Sequence, residues 1–416
     1  SPAGRRVATY WRSMNMMTRG RLRTALALAA PLLLAPASAR GQGFDVLVSL
    51  TADDALPGEA VRDQDLVRHA PSGGAHVQWP SETLALLAGD GGGSQALHLV
   101  LGDIDAIHDG GATPAGSGLS FSIPADQAGF RDGDVLTFGP GGLQILIPEI
   151  AFVDAAGASD GNVDLDALQV DADGTLLFSF ADNEVSTVLS GDVAGQIKDG
   201  DVLSWMPGTS QAAMVYTEAQ VDGLVSQALG ATILTTDTGG LARDPVTGQL
   251  LFSVLSPTPN DASVFSEAGG GSLLAGHAEA DFGFTGAPEL DALCVAVSSF
   301  PALTTSSGNP AAGAQLAFTL RGAQPGHPHV ILAALDVDPV GIPLGGWGRF
   351  VLADDLLLGL TASSASHYVA MPDASGTGAL LSVVPPAMPP VDVVMQAIAP
   401  GAPPVASNPL VLELLQ

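Results

Sequence analysis

The clearest pattern of apolar and polar positions runs from Leu165 to Met206. Asp166-Ala167-Leu168-Gln169-Val170 alternates between the two classes, which predicts a half-buried strand. Asp173-Gly174 follows as a hairpin signal, because both residues tolerate positive φ. Leu176-Leu177-Phe178-Ser179-Phe180 is an apolar run bounded by turn residues and predicts a second strand. Asp199-Gly200-Asp201 predicts a tight turn, Val202-Leu203-Ser204-Trp205 a third strand, and Ala212 to Tyr216 a fourth.

Pieces of this unit recur. The second strand returns as Leu47-Val48-Ser49, Leu119-Ser120-Phe121-Ser122 and Leu250-Leu251-Phe252-Ser253. Its serine therefore stands at 49, 122, 179 and 253, a spacing of about 70 residues. The acidic turn returns as Arg62-Asp63-Gln64-Asp65 and Arg131-Asp132-Gly133-Asp134. The first strand returns as Ile104-Asp105-Ala106-Ile107 and Leu290-Asp291-Ala292-Leu293. The fourth returns as His76 to Trp79, Leu143 to Ile147 and Phe282-Gly283-Phe284. Landmarks that keep one period mark a repeat architecture.

The two ends of the array are unlike its middle. Its first copy lacks the opening strand, and its last Asp-Ala-Leu run, at Leu290, has no Leu-Phe-Ser strand behind it. A spare last strand that completes the first sheet removes exposed edges. The expected fold is all-β: a four-unit β-propeller-like repeat domain over 43–297, then an immunoglobulin-like β-sandwich over 298–416, where Pro is dense and the repeat landmarks stop. The small, polar segment Ser298 to Gly308 is expected to be the linker. Between the third and fourth units, Val221, Leu224, Val225 and Leu229 fall at helical spacing and predict a short covering helix. The fourth unit departs from the pattern, with Gly-Gly-Leu-Ala at 239–242 in place of the Asp-Ala-Leu motif.

Charge narrows the function. Residues 1–42 hold seven arginines and no acid, with an apolar run at Ala25 to Ala35 and Ala37-Ser38-Ala39 behind it, the layout of a secretory signal peptide. Export to the cell exterior is the expectation, and no later stretch reaches membrane-spanning length. Beyond residue 42 the basic residues are Arg62, Arg68, Arg131, Lys198, Arg243, Arg321 and Arg349, in a chain of net charge −29. Such a surface repels a phosphate backbone, which excludes nucleic acid as a partner. The single cysteine, Cys294, permits no internal disulfide and is expected as a buried thiol.

The search for chemistry returns little. No Gly-x-Ser-x-Gly elbow and no His-Glu-x-x-His pair occurs. The recurrent serines occupy one strand position in every unit, which marks them as structural. His327-Pro328-His329 is the closest histidine pair in sequence. Asp160, Asn162, Asp164 and Asp166 place oxygens at alternate positions and form the candidate calcium loop, although Leu165 stands where an EF-hand loop needs Gly. The acidic turns are expected to fix local amides, with Asp132 and Asp199 as the groups to test. His98 and His108, with Asp103 and Asp105, flank the first Asp-Ala-Ile run and form the other candidate polar cluster.

The unit LDALQVDADGTLLFSF followed by KDGDVLSW resembles repeats of uncharacterised secreted bacterial β-repeat proteins. Ala314 to Gly322, Pro343-Leu344-Gly345-Gly346, Met371-Pro372-Asp373, Gln396-Ala397 and Ser407-Asn408-Pro409-Leu410 resemble a C-terminal sandwich module of such proteins. The resemblance implies architecture and carries no catalytic residue; a cysteine pair expected in some relatives near Gly345-Gly346 is absent. The reading is a secreted, non-catalytic binding or structural protein whose partners are extracellular protein or carbohydrate. It needs no cofactor, and calcium is the one candidate ion. The alternative is a propeller-type hydrolase or lyase with a metal-assisted site in a central channel, which convergence of several acids or histidines there would favour.

Overall fold

A computed structural model describes residues 44–414 except 58, 72–73, 80–83, 85–103, 111–117, 127–128, 140–141, 160, 235, 256–261, 287, 297–301, 306–310, 312–313, 335–336, 344–348, 353–368, 375, 384–390 and 400–404. The protein is all-β and built from several small antiparallel sheets, none of which closes on itself among the described residues.

Four of these sheets have four strands and use the repeat. In the third, Leu165–Val170, Leu176–Phe180, Val202–Trp205 and Ala213–Tyr216 lie side by side in chain order. The second holds Ile107–Asp109, Leu119–Phe121, Val135–Gly139 and Gly142–Ile147 in the same order. The fourth holds Asp237–Arg243, Leu250–Leu255, Phe265–Ser266 and Ser272–Leu273. The first sheet borrows. Leu290–Val295 pairs with Val46–Leu50, which continues to Leu66–Ala70 and Gly74–Trp79. Val46 lies opposite Val295 and Val48 opposite Leu293.

The inner strands are apolar on both faces because they are covered on both. Val46–Leu50, Leu176–Phe180 and residues 250–254 are buried at every position, which is why they read as continuous runs rather than alternating ones. One core joins the first and second sheets through Leu47, Leu66, Phe121 and Leu136. A second joins the second and third through Val135, Leu168 and Phe178, and a third joins the third and fourth through Leu177, Val202, Leu241 and Phe252. The fourth core joins the fourth sheet to the first through Ala242, Leu251, Val48 and Val67. Each of these contacts is here called a seam. The leading strands neighbour one another in the same succession. Leu165–Val170 packs against Ile107–Asp109 and Asp237–Arg243, and Leu290–Val295 packs against the same two.

Two helices cover seams. Glu218–Leu229 is the predicted one; it starts at Thr217 with a capping box to Gln220 and ends on Gly230 at φ 66°. Glu149–Ala156 was not foreseen. Its Phe152 packs edge-on against Phe178 and Trp205, with ring centroids 5.1 and 5.7 Å away.

The fourth unit corrects one expectation. Phe282-Gly283-Phe284 is not its outer strand: residues Glu279–Phe282 form a helical turn, and the outer strands are the two-residue pieces at 265–266 and 272–273. The linker expectation is corrected too. Ala302–Thr305 is a strand, paired with Gln315–Arg321, and Leu303 is fully buried.

The C-terminal region holds a three-stranded sheet of Ala302–Thr305, Gln315–Arg321 and Gly378–Val383. A four-stranded sheet contains Val369–Ala370, His329–Ala334, Val391–Ala399 and Val405–Leu414. One core, with Leu316, Phe318, Ile331, Val393 and Met395, is built from both. Val337–Pro343 and Arg349–Leu352 pair as a separate hairpin. Arg321 donates through Nη1 to the Ala75 carbonyl and stands 3.8 Å from Glu59, which ties this region to the first sheet.

Candidate functional site

The repeated polar residues come first, because they decide what is left for chemistry. Ser49 Oγ donates to the Ile104 carbonyl at 2.7 Å, Ser122 Oγ to Leu165 at 3.0 Å, and Ser179 Oγ to Thr238 at 2.8 Å. Each bond leaves the second strand of one sheet and lands on the leading-strand segment of the next. All three hydroxyls are buried and accounted for. Ser253 is the exception: its Oγ is buried and makes no hydrogen bond.

The acidic turns are equally committed, but through a different aspartate from the one expected. The last acid of each turn caps its first residue: Asp65 Oδ2 accepts from Arg62 N, Asp134 Oδ2 from Arg131 N and Asp201 Oδ2 from Lys198 N, at 2.9–3.0 Å. The second oxygens of Asp134 and Asp201 accept from Glu149 N and Glu218 N at 2.7 Å. Those are the first residues of the two covering helices, so each turn anchors a helix N-terminus. Glu149 then accepts from Val163 N and from Arg131, and Glu218 from Lys198. By contrast, Asp132 and Asp199 each accept from the next amide, Gly133 N and Gly200 N. Gly133 and Gly200 are required here, since a Cβ on either would stand 2.1 Å from the carbonyl oxygens of Val163 and Thr236.

What remains is a set of carboxylates on the leading strands. Asp105, Asp166 and Asp291 hold the same place in three units, and all are buried. The fourth unit has Gly239 there, because a Cβ would stand 3.0 Å from the Leu290 carbonyl oxygen. Asp237, two residues earlier and across an irregularity in the strand pairing, supplies the fourth carboxylate. Burial holds Asp166 well above the usual carboxylate range, and Asp237, Asp291 and Asp105 push it further. The value of Asp237 is itself raised to about 7, first by burial. Asp166 Oδ2 and Asp237 Oδ1 are buried without a hydrogen-bond partner. Burial thus favours the protonated form of both carboxyl groups. Such a pair can exchange a proton with a bound group, or surrender it to a cation. Among the described residues, no three His, Cys, Asp or Glu side chains are grouped so that they could hold a metal ion.

The sequence candidates divide. Asp160 lies outside the described residues and Asn162 is exposed. Asp164 and Asp166 answer to different surroundings: Asp164 is raised to about 7 by burial and then by Asp132, Asp182, Glu149 and Asp126, none of which acts on Asp166 in the same way. His98 and Asp103 also lie outside the described residues. His108 Nδ1 accepts from Val170 N at 3.4 Å; burial lowers its pKa, and Asp109 and Asp171 are the carboxylates that act on it. Asp105 belongs instead to the leading-strand set. His329 is buried with Nδ1 on the His327 carbonyl oxygen, while His327 is exposed, so the two imidazoles are not a ligand pair. Cys294 is fully buried, which pushes its thiol well up. Asp237 was missed because it stands two residues ahead of the Asp-Ala-Leu position; the signal was Asp237-Thr238 ahead of the Gly239-Gly240 that replaces the motif.

No family model matches the chain, and no curated protein matches it. Among solved structures, a tetra-tandem repeat from the extending region of a large adhesion protein aligns over 89% of this chain and 92% of that one, at 13% identity and a TM-score of 0.16. No helix among the described residues is long and apolar enough to cross a membrane.

Proposed function

We propose that the four repeat sheets form a four-unit β-propeller, closed by the pairing of Leu290–Val295 with Val46–Leu50, and that an immunoglobulin-like β-sandwich follows at 298–416. On this reading the protein is a secreted, non-catalytic binding or structural protein of the cell exterior, with extracellular protein or carbohydrate as its partner. The observation that carries it is the use of the recurrent polar groups. Three of the four serines and the capping aspartates are spent on hydrogen bonds between and within units, which takes those recurrent groups out of turnover. The test pairs two assays on the full chain. Retention on an immobilised polysaccharide or matrix-protein panel, with no product released, supports the reading. Release of product that Asp166→Asn abolishes overturns it.

One observation favours a second reading, a metal-assisted hydrolase or lyase. Asp105, Asp237 and Asp291, each from another unit, act on Asp166, and burial raises both Asp166 and Asp237 above the usual carboxylate range. Calcium or zinc titration against a chelator-treated sample tests it. Binding that D166N and D237N both abolish would favour the enzyme; unchanged heat signals across the series would remove it.

A further inference from the structure

His69 and His277 meet where the fourth sheet's tail reaches the first sheet. His69 sits on Leu66–Ala70, and His277 precedes the helical turn Glu279–Phe282. Both are 1% exposed. Their Nδ1 atoms are 3.0 Å apart. His69 Nε2 lies 3.0 Å from the Asp281 carbonyl oxygen, and His277 Nε2 lies 3.2 Å from that of Phe44. Phe282 stacks on His69 at 4.3 Å and Phe44 on His277 at 5.9 Å, so water has little access.

Counting protons decides what this arrangement is. A carbonyl oxygen only accepts, so each Nε2 must carry a hydrogen. A neutral imidazole has one N–H, so both Nδ1 atoms would then be bare, with lone pairs facing at hydrogen-bond distance. Any other neutral tautomer leaves a nitrogen lone pair against a carbonyl oxygen. Three protons on the four nitrogens satisfy all three contacts.

We propose that His69 and His277 form a binding site for a single proton, held between the two Nδ1 atoms, which latches the start of the first sheet to the tail of the fourth. The charged groups acting on the pair fit one positive charge and no more. Asp45 and Asp281 both favour the charged form of each ring, while Arg68 holds Asp45 in an ion pair at 2.6 Å and draws off part of its effect. Burial pushes both imidazoles down, His277 to about 4, and each ring's charge opposes the other's. A second proton is therefore excluded until the site opens.

The experiment is a nitrogen-15 NMR titration of the histidine side chains in the full chain, from about pH 10 to about pH 4. The expected result is one step in which both Nδ1 signals move together, with one proton gained by the pair and a single far-downfield proton coupled to both nitrogens. Two separate steps, an uptake of two protons, or two Nδ1 signals that stay unprotonated throughout would overturn the proposal. His277→Gln should abolish the joint step and leave His69 titrating alone. A His69 step unchanged by that substitution would also overturn it, and the wild-type titration decides the matter if the variant fails to fold.

Discussion

Three seams between the repeat sheets are fastened the same way, and the fourth is not. At the first three, a buried serine on one sheet donates to a carbonyl on the next. At the seam between the fourth sheet and the first, Ser253 has no acceptor, and Gly239-Gly240 let the backbones close in until Gly240 would place a Cβ 2.6 Å from the amide nitrogen of Leu293. The side-chain hydrogen bond has been exchanged for close backbone contact, with the histidine pair at the rim. A repeat fold can thus keep one sequence motif at every unit while one copy has lost its bond. Recurrence of a residue does not prove recurrence of its role.

The sharpest way to break the comparison is to fill the tight seam. Gly240→Val should destabilise the chain by about 2–4 kcal/mol, because backbone on the far side cannot move aside. The matching change at the third seam, Ala167→Val, meets side chains rather than a glycine-tight backbone and should cost less; equal losses would mean that the fourth seam is not special. Denaturant unfolding of both variants reads the difference. Next in size are the turn caps. Asp201→Ala removes the carboxylate that accepts from two backbone amides at a buried site and should cost about 2–3 kcal/mol, against about 0.5–1 kcal/mol for Asp199→Ala, whose oxygen serves one neighbouring amide. Ser179→Ala should then cost about 1 kcal/mol and Ser253→Ala within about 0.5 kcal/mol of nothing, since only the first loses a bond. A costly Ser253→Ala would show that its hydroxyl is used after all.

The last expected effect is on pH dependence. Asp237 is raised to about 7 by burial, so the folded chain keeps a proton that the unfolded chain releases near pH 4. That contribution is complete below the unfolded value and is lost as pH rises through the folded one. Asp237→Asn keeps the group neutral. Its melting temperature, relative to wild type, should therefore be higher at about pH 8 than at about pH 5. The histidine pair titrates alike in both proteins and cancels in the difference. A difference that does not change with pH would mean that Asp237 is ionised throughout.

Much of the repeat was readable from the sequence because strands buried on both faces are continuous apolar runs, and Leu176–Phe180 and Leu250–Leu255 announce themselves. The outer strands of the fourth sheet were not readable: two residues each, at Phe265–Ser266 and Ser272–Leu273, carry no periodicity. The helix Glu149–Ala156 hid behind Pro148 and an eight-residue span too short to show a stripe. Its signature was an acid some fifteen residues beyond the turn, shared by Glu149 and Glu218, which only the two Asp caps explain. Among the candidate site residues, Asp166 and Asp105 were singled out, but not as members of one set. Sequence proximity joined Asp166 to Asp164 and Asp105 to His108, whereas packing of successive sheets joins Asp166 to Asp105, Asp237 and Asp291.

The pairing of Val46–Leu50 with Leu290–Val295 also sets a timetable. During synthesis, the opening strand emerges long before its partner, and until then the first sheet has three strands and an uncovered edge. Domains made from such distant pairings fold slowly, because the loop must be closed before the contacts reward it. A chain interrupted before Leu290 would keep that edge for good, with buried Leu47 and Val48 beside it, ready to pair with another copy of itself.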